Sequence, residues 1–441
     1  MKKRGMTRRE FLAGAAAAGG MIVIGDRLIK GRTRYASASR PADKIRVAVV
    51  GLGRQGQLLL KSFMKVPGVE IAALCDVDEG ALNKVRAQVE TTRGQRLPRL
   101  VSDVRRVLDD SSIDAISIAT PNHWHALMGV WACQAGKDCY IESPCSHSFF
   151  EGKQLVAATQ QYQRIIQYGS LGQISSLSGF DQSTIYCLGA IHSVRTICFS
   201  NRVQVNNARP SFKKSRDFDL WLGPARIEKP DGIEPNWRKL PQMHNGALGF
   251  FALDDLHRNL RLLGPDLPTK VSTLSSGKSA SVIRGACIAV QMEFGNDGTG
   301  ASKRLDLEVL PKRAMPREIE QFLAARKASH KSAYSGVVSE TTIKGSGGSL
   351  TYINSPDSSD ETSYLVENFV EAVRERKQEL LASPIERAHV TCGSLHLANI
   401  SLVLKRPLAF NPSTQSSIND AQADELLLGF HRAPYTLPTK I

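Results

Sequence analysis

The sequence predicts an α/β chain that opens with a doubly wound parallel sheet, and three observations predict it. A β-branched run, Ile45 to Val50, ends in Gly51-Leu52-Gly53-Arg54-Gln55-Gly56 and leads into a helical spacing of Leu58, Leu59 and Phe63. A second apolar run, "VEIAALCD", closes on Asp76, twenty residues after Gly56. Next, "IDAISIATPNHWHALMGVWACQAGKDCYIESP" reads as strand, loop, helix, strand. At 441 residues the chain exceeds one ordinary core, so two domains with extras are expected.

Ahead of that pattern lies a leader. Residues 1–38 hold nine Lys/Arg against Glu10 and Asp26, a net +7 of the chain's +15. Arg8-Arg9 precede an Ala- and Gly-rich run, Phe11 to Ile24, too short and small-sided to span a bilayer as a stable helix. Thr7 to Leu12 resembles the twin-arginine export signal, and Ala36 and Ala38 stand in the small-x-small arrangement of a cleavage site after Ala38. The leader therefore implies contact with the export machinery and a soluble periplasmic protein without a stable membrane anchor. The alternative is a basic leader on a cytoplasmic protein. The other positive charges are scattered; "RPSFKKSR" (209–216) is their dense cluster and reads as a solvated loop, with no nucleic-acid partner implied. None of the eight cysteines forms a CxxC pair, and Cys75 and Cys139 fall in apolar strands, so neither a disulfide framework nor a metal site is expected.

The glycine loop has the GxGxxG spacing of a Rossmann dinucleotide site, expected over residues 44–168. Gly51 makes the tight turn, Gly53 lets a pyrophosphate approach the backbone, and Gly56 packs helix against strand. The helix that follows presents free N–H groups and a positive dipole end. Asp76 is placed to accept from both ribose hydroxyls and to repel a 2′-phosphate, which favours NAD over NADP. Thr120-Pro121-Asn122-His123 and Glu142-Ser143-Pro144 end later strands, where open α/β sheets bind ligands. His125 begins a helix, where it caps or touches the nicotinamide ribose; packing of His123 or His125 under Trp124 or Trp131 is the alternative.

These stretches, with "FDLWLGPA" (218–225), "LHLANISLVLKRPLAFNP" and "HRAPYTLP", resemble the Gfo/Idh/MocA oxidoreductase family from residue 44 to the end. The resemblance implies a second domain, 169–441, of α+β type with a large, mainly antiparallel open sheet through which such chains associate into homo-oligomers. "ASVIRGACIAVQMEFG", "KRLDLEVL" and "SGVVSETTIKG" fit its strands. "TSYLVENFVEAVRERKQELL" fits an amphipathic helix with Leu365, Phe369 and Val373 inward. The implied cofactor contacts are Gly51, Gly53, Arg54, Gln55, Gly56, Asp76, Thr120, Pro121, Asn122, His125 and Glu142.

The family's chemistry is hydride transfer between a sugar or polyol and a nicotinamide, which needs a base for the hydroxyl proton and a cation for the developing alkoxide. A Lys in a Glu-Lys-Pro motif usually supplies the cation; here Ser143 stands in its place. A helical His followed by Asp three residues on usually handles the proton; here the order is reversed, as Asp254 and His257. Positions i and i+3 share a helix face, so Asp254 beside His257 forms either a working base with a raised imidazole pKa or an ordinary ion pair. Leu253, Leu256, Leu260 and Leu263 form that helix's buried stripe. "NWRKLPQMHNG" keeps Asn236 and Trp237 of the family pattern and then diverges.

Three functional classes follow: an NAD-linked oxidoreductase of a sugar-like substrate with the catalytic set His257, Asp254 and Ser143, or its glycoside-cleaving relative; a nucleotide- or sugar-binding homologue without catalysis; and an interaction protein using its open sheet. Outside the cytoplasm, the first requires a tightly held cofactor.

Overall fold

The computed structural model describes residues 44–90, 97–170, 182–200, 217–226, 237, 240–264, 266–275, 288–295, 302–321, 338–354, 359–438 and 441, with the short stretches 22–24 and 27–29. The expected export signal at 1–38 lies outside the described residues apart from an antiparallel pair, Ile22–Ile24 with Arg27–Ile29. The 209–216 cluster and Asn236 lie outside them entirely. No described helix is long and apolar enough to cross a membrane.

The first half builds six parallel strands. They are β1 (Ile45–Val50), β2 (Val69–Cys75), β3 (Arg99–Val101), β4 (Ala115–Ile118), β5 (Asp138–Glu142) and β6 (Ile166–Gly169), in the order β3-β2-β1-β4-β5-β6. The order reverses between β1 and β4, which opens a crevice at the carboxyl edge of the sheet. Both faces are covered, so the central strands β1, β4 and β5 are almost wholly buried and their side chains sort by twos. Val47 and Val49 pack with Leu59, Leu60 and Phe63 of α1 (Arg54–Lys65) and Val85 of α2 (Glu79–Glu90). Ala48 and Val50 face the other way, with Val107 of α3 (Val104–Leu108), Val130 of α4 (His125–Gln134) and Leu155 of α5 (Phe149–Tyr162).

Behind these come α6 (Gln182–Cys187), β7 (Ile191–Ser200), α7 (Phe218–Leu222), α8 (Gly246–Phe251), α9 (Leu253–Leu263), β8 (Lys270–Ser275), β9 (Ile288–Phe294), β10 (Lys303–Pro311), β11 (Val338–Gly345) and β12 (Gly348–Asn354). The chain closes with α10 (Ser359–Glu375), α11 (Ile385–Leu404), β13 (Leu408–Asn411), β14 (Ser416–Ser417) and α12 (Ala421–Leu428). The eight-stranded second sheet runs β12-β11-β7-β10-β9-β8-β13-β14, antiparallel except where β7 meets β10. Its inner face, with Val194, Val290, Met292, Leu305 and Leu307, packs in one continuous core with the Leu253, Leu256, Leu260 and Leu263 stripe of α9 and with the first sheet. Its other face carries the ion pairs Arg195–Glu308, Arg304–Asp306 and Lys270–Glu293.

The amphipathic helix expected late in the chain forms as α10, and its place is on the nucleotide half. Leu365, Val366, Phe369, Val370 and Val373 join Val47, Phe63 and Tyr140 in one core. Phe369 meets Phe63 and Tyr140 edge-on at ring separations of 6.2 and 6.1 Å. Arg376, just past α10, pairs with buried Asp138 at the start of β5. Asn368 accepts from Gln167 Nε2 of β6 at 3.0 Å, and the Tyr168 N–H donates to the Ser383 carbonyl at 2.9 Å.

The "HRAPYTLP" stretch ends the fold as a strap across α5 and α7. His431 Nε2 meets Glu151 Oε1 at 2.8 Å, while Glu151 also serves the capping box of α5 with Ser148. Arg432 donates to the Asp219 carboxylate and the Gly223 carbonyl, at 2.7 and 2.9 Å. Tyr435 donates to Asp219 at 2.7 Å and lies edge-on to Trp124 at 5.3 Å. Of the described cysteines six are buried, Cys187 is exposed, and all are free; Cys287 lies outside the described residues.

Candidate active site

The glycine loop joins β1 to α1 under tight steric constraint. Gly51 holds φ +85°, and a Cβ there would meet the Ala119 carbonyl oxygen at 2.6 Å. A Cβ on Gly56 would meet the Gly51 carbonyl oxygen at 1.8 Å. At Gly53 a Cβ would meet nothing within 4 Å, because that side of the loop faces open space. Gly53 is also the N-cap of α1 and offers no side-chain acceptor to the first-turn N–H groups. Arg54 and Gln55 stand exposed in that first turn.

Asp76 ends β2 with both oxygens already engaged. Oδ2 accepts from the Leu52 N–H at 2.7 Å and Oδ1 from the Asp78 N–H at 2.9 Å. The carboxylate thus fixes the glycine loop at the carboxyl end of β2, where Rossmann sites bind a ribose. On the other side of the crevice, Thr120 Oγ1 is buried and has no hydrogen-bond partner in the structure. A bare loop face, an uncapped helix start, a carboxylate at the β2 end and an unsatisfied hydroxyl across the crevice fit a dinucleotide.

Two expected cofactor contacts instead stand behind the crevice. Asn122 is buried and its Nδ2 donates to Asn245 Oδ1 at 3.0 Å; Asn245 in turn donates to the Ser146 carbonyl at 3.0 Å, joining the two halves. His125 is 1% exposed, with Nδ1 2.7 Å from the Pro144 carbonyl oxygen and Nε2 2.8 Å from that of Thr120. The imidazole therefore staples the two loops that line the site and does not cap a ribose. Burial pulls its pKa down although both carbonyls favour the charged form. His123 is buried near the Trp221 carbonyl, and burial pulls its pKa down to about 3. Pro121 stays partly exposed at the crevice edge.

The strand ends β5 and β6 gather the acid/base candidates. Glu142 Oε1 accepts from Gln55 Nε2 at 3.0 Å, tying the end of β5 to the first turn of α1. Ser143 Oγ accepts from the Tyr168 hydroxyl at 3.0 Å, and the Ser143–Pro144 peptide is cis. Asp254 Oδ1 accepts from Ser170 Oγ at 2.9 Å. His257 packs its ring against Tyr168 at 5.1 Å, with Nδ1 2.8 Å from Thr391 Oγ1. Ser143, Asp254 and His257 thus converge around Tyr168 and Ser170.

The expected Asp254–His257 couple is not what α9 builds. Burial, with Arg258 and Arg261 nearby, drives the imidazole pKa down to about 3, opposite to the effect of a carboxylate partner. The i,i+3 ion pair of this helix falls one position along, as Asp255–Arg258 at 2.5 Å. There Asp255 also accepts from Ser339 Oγ at 2.8 Å, so it serves the second sheet. His257 is a neutral, buried ring that positions Tyr168. Tyr168 and Ser170 were not singled out from sequence, although their place at a strand's carboxyl end is the same signal that marked Thr120 and Glu142.

Comparison with known proteins agrees with this geometry. Residues 45–170 match the oxidoreductase family with an NAD-binding Rossmann fold, and residues 351–437 match the C-terminal alpha/beta domain of the same family. A glycosyl hydrolase family 109 protein of Saccharopolyspora erythraea is 29% identical over 248 residues, covering 50% of this chain and 54% of that relative. The chain therefore spans about half the length of that relative. Among solved structures, GenD2 from gentamicin A biosynthesis in complex with NAD aligns with a TM-score of 0.58 at 17% identity, over 85% of this chain and 98% of its own. Scyllo-inositol dehydrogenase from Lactobacillus casei, with bound NAD(H) and scyllo-inositol, aligns with a TM-score of 0.55 at 15% identity, over 83% and 99%. These two share the fold. With both of its domains matched and the crevice residues in place, the chain belongs to the Gfo/Idh/MocA family of NAD-binding oxidoreductases.

Proposed function

We propose that this protein is an NAD-linked oxidoreductase acting on a sugar- or polyol-like molecule, with proton handling at carboxylates in place of the family's helical histidine. The observation that carries the reading is the glycine loop clamped by Asp76, with the Gly53 face open for a pyrophosphate. The Asp76 carboxylate, set to repel a 2′-phosphate, supports NAD over NADP. A bound nicotinamide supplies the hydride acceptor or donor. The chain supplies the rest: Gly51–Gly56 and Asp76 hold the nucleotide, His125 and Asn122 brace the crevice, and Glu142, Asp254, Ser143 and Tyr168 face the reacting end.

The test is to denature the protein purified from its own host and assay the released nicotinamide. About one NAD(H) per chain, with NADH formed when polyols are added, is the expected result. An empty chain with no measurable NAD affinity overturns the reading. Bound NAD(H) without turnover identifies a binding homologue.

A second reading draws on the relative named for glycosyl hydrolase family 109: cleavage of a glycoside through its transient oxidation. It predicts release of p-nitrophenol from p-nitrophenyl glycosides by the NAD-loaded protein without net NADH formation. The Arg8-Arg9 pair and the Ala36 and Ala38 site support export to the periplasm, with the cofactor carried inside the folded protein. Self-association through the second sheet rests on the family resemblance.

A further inference from the structure

Glu142 stands where the two halves of the molecule meet. It closes β5 at the carboxyl edge of the parallel sheet, on the far side of the β1–β4 crevice from Asp76. A dinucleotide anchored at Gly53 with one ribose on Asp76 extends its other half toward this side. The carboxylate is held from several directions: Gln55 Nε2 donates to Oε1 at 3.0 Å, and the Ser143 backbone N–H donates as well. A Cβ on Gly169 would lie 2.9 Å from the same Oε1, so the glycine that ends β6 leaves room for the carboxylate. At the next residue, Ser170 holds Asp254. Two carboxylates, one from each half, therefore flank a single strand end.

The groups facing Glu142 are Asp254 from α9, Tyr140 from its own strand and the neutral Gln55 and Ser143. Burial opposes its ionisation most, and Asp254 adds to it; together they outweigh the hydrogen bonds and lift the Glu142 pKa to about 7. Tyr140 is pushed up by burial and by Glu142, so it stays neutral across this range. Ser143 brings no charge to the place where the family carries a lysine.

We propose that Glu142 is the site's proton carrier and that the charge of the nicotinamide ring sets its state: protonated in the resting protein and beside the neutral reduced ring, ionised beside the cationic oxidised ring. This rests on the NAD reading above. A positive charge within a few ångströms lowers a carboxyl pKa by about 1–3 units. Because Gln55 occupies Oε1, the proton rides on Oε2. Its release on binding of the oxidised nucleotide leaves a carboxylate able to accept a substrate's hydroxyl proton, a base made only when the oxidant is present. Asp254 is a positioning residue that keeps Glu142 protonated until then.

The experiment is calorimetric titration of the full chain with NAD+ and, separately, NADH, between pH 5.5 and 8.5 in buffers of different ionisation enthalpy. NAD+ binding is expected to release about one proton per site at pH 6, and its affinity to rise about tenfold per pH unit up to about 7 and then level. NADH should bind with a flat profile. Glu142→Gln should bind both nucleotides with neither proton release nor slope, and Asp254→Asn should move the release to lower pH. Infrared difference spectra of the wild type should show a protonated carboxyl band disappearing on NAD+ binding, a readout that needs no variant. Equal slopes for NAD+ and NADH, or a slope that survives in Glu142→Gln, overturn the assignment while leaving the NAD reading intact. Failure of the wild type to bind either nucleotide sinks both.

Discussion

Gly53 and Gly56 lie three residues apart, and their substitutions should fail differently. A Cβ at Gly56 meets the Gly51 carbonyl oxygen at 1.8 Å, so Gly56→Ala must separate α1 from β1. We expect a loss of about 1–3 kcal/mol in urea unfolding, in the range of an overpacked core. At Gly53 the space is empty, so Gly53→Ala should melt like the wild type yet bind NADH at least tenfold more weakly, measured by the reduced nucleotide's fluorescence. The close packing at Gly56 and the open face at Gly53 were legible in the sequence, because the GxGxxG spacing carries its own steric logic. The places of His125 and His257 were not. Position along a helix says which face a ring shares, but not which carbonyl or hydroxyl the rest of the chain will bring to it. Thr391 and Pro144 are such partners, distant from those rings in sequence.

At the scale of elements, the link between α5 and the terminal strap is a titratable one. Burial opposes the Glu151 charge, but His431, by hydrogen bond and by charge, holds the carboxyl below its usual range. Burial likewise opposes the charged imidazole, and Glu151 raises it above its usual range. The carboxylate's contribution is present above about pH 4.5 and fades as pH falls through its depressed value. The imidazolium's contribution is full below about pH 6.5 and fades as pH rises through its elevated value. The strap should therefore be tightest between those limits. His431→Ala should lower stability by about 1–2 kcal/mol at pH 5.5 and by less at pH 8.5, with hydrogen exchange rising first over 429–438. The elements β1, β2, β4, β5, α1, α4 and α10 could be placed from local sequence pattern. The strap could not, since its order comes from Asp219, Gly223 and Trp124, contacts that no local pattern announces.

For the whole molecule, the division into two consecutive domains that the sequence suggests is crossed by α10. Its amphipathic spacing showed that it packs, not where. The nucleotide sheet completes its core only with Phe369 and its neighbours, which arrive about two hundred residues after β6. A fragment of residues 44–170 should be a poorly packed, aggregation-prone chain, while the same fragment supplied with 359–384 should gain a cooperative transition in calorimetry. Phe369→Ala in the full chain should cost about 3–5 kcal/mol and weaken NAD binding without touching the crevice.

The lateness of α10 also sets an order of events during synthesis. A ribosome releases the glycine loop and Asp76 early, yet the core beneath them waits for residues near 375 to emerge. Until α10 emerges, then, the nascent chain holds an unfinished nucleotide site with apolar α1 surface exposed. Cofactor loading becomes a late checkpoint, passed only by chains in which α10 has already been made. A product truncated before α10 would neither load cofactor nor hide that surface, which leaves it open to proteolysis.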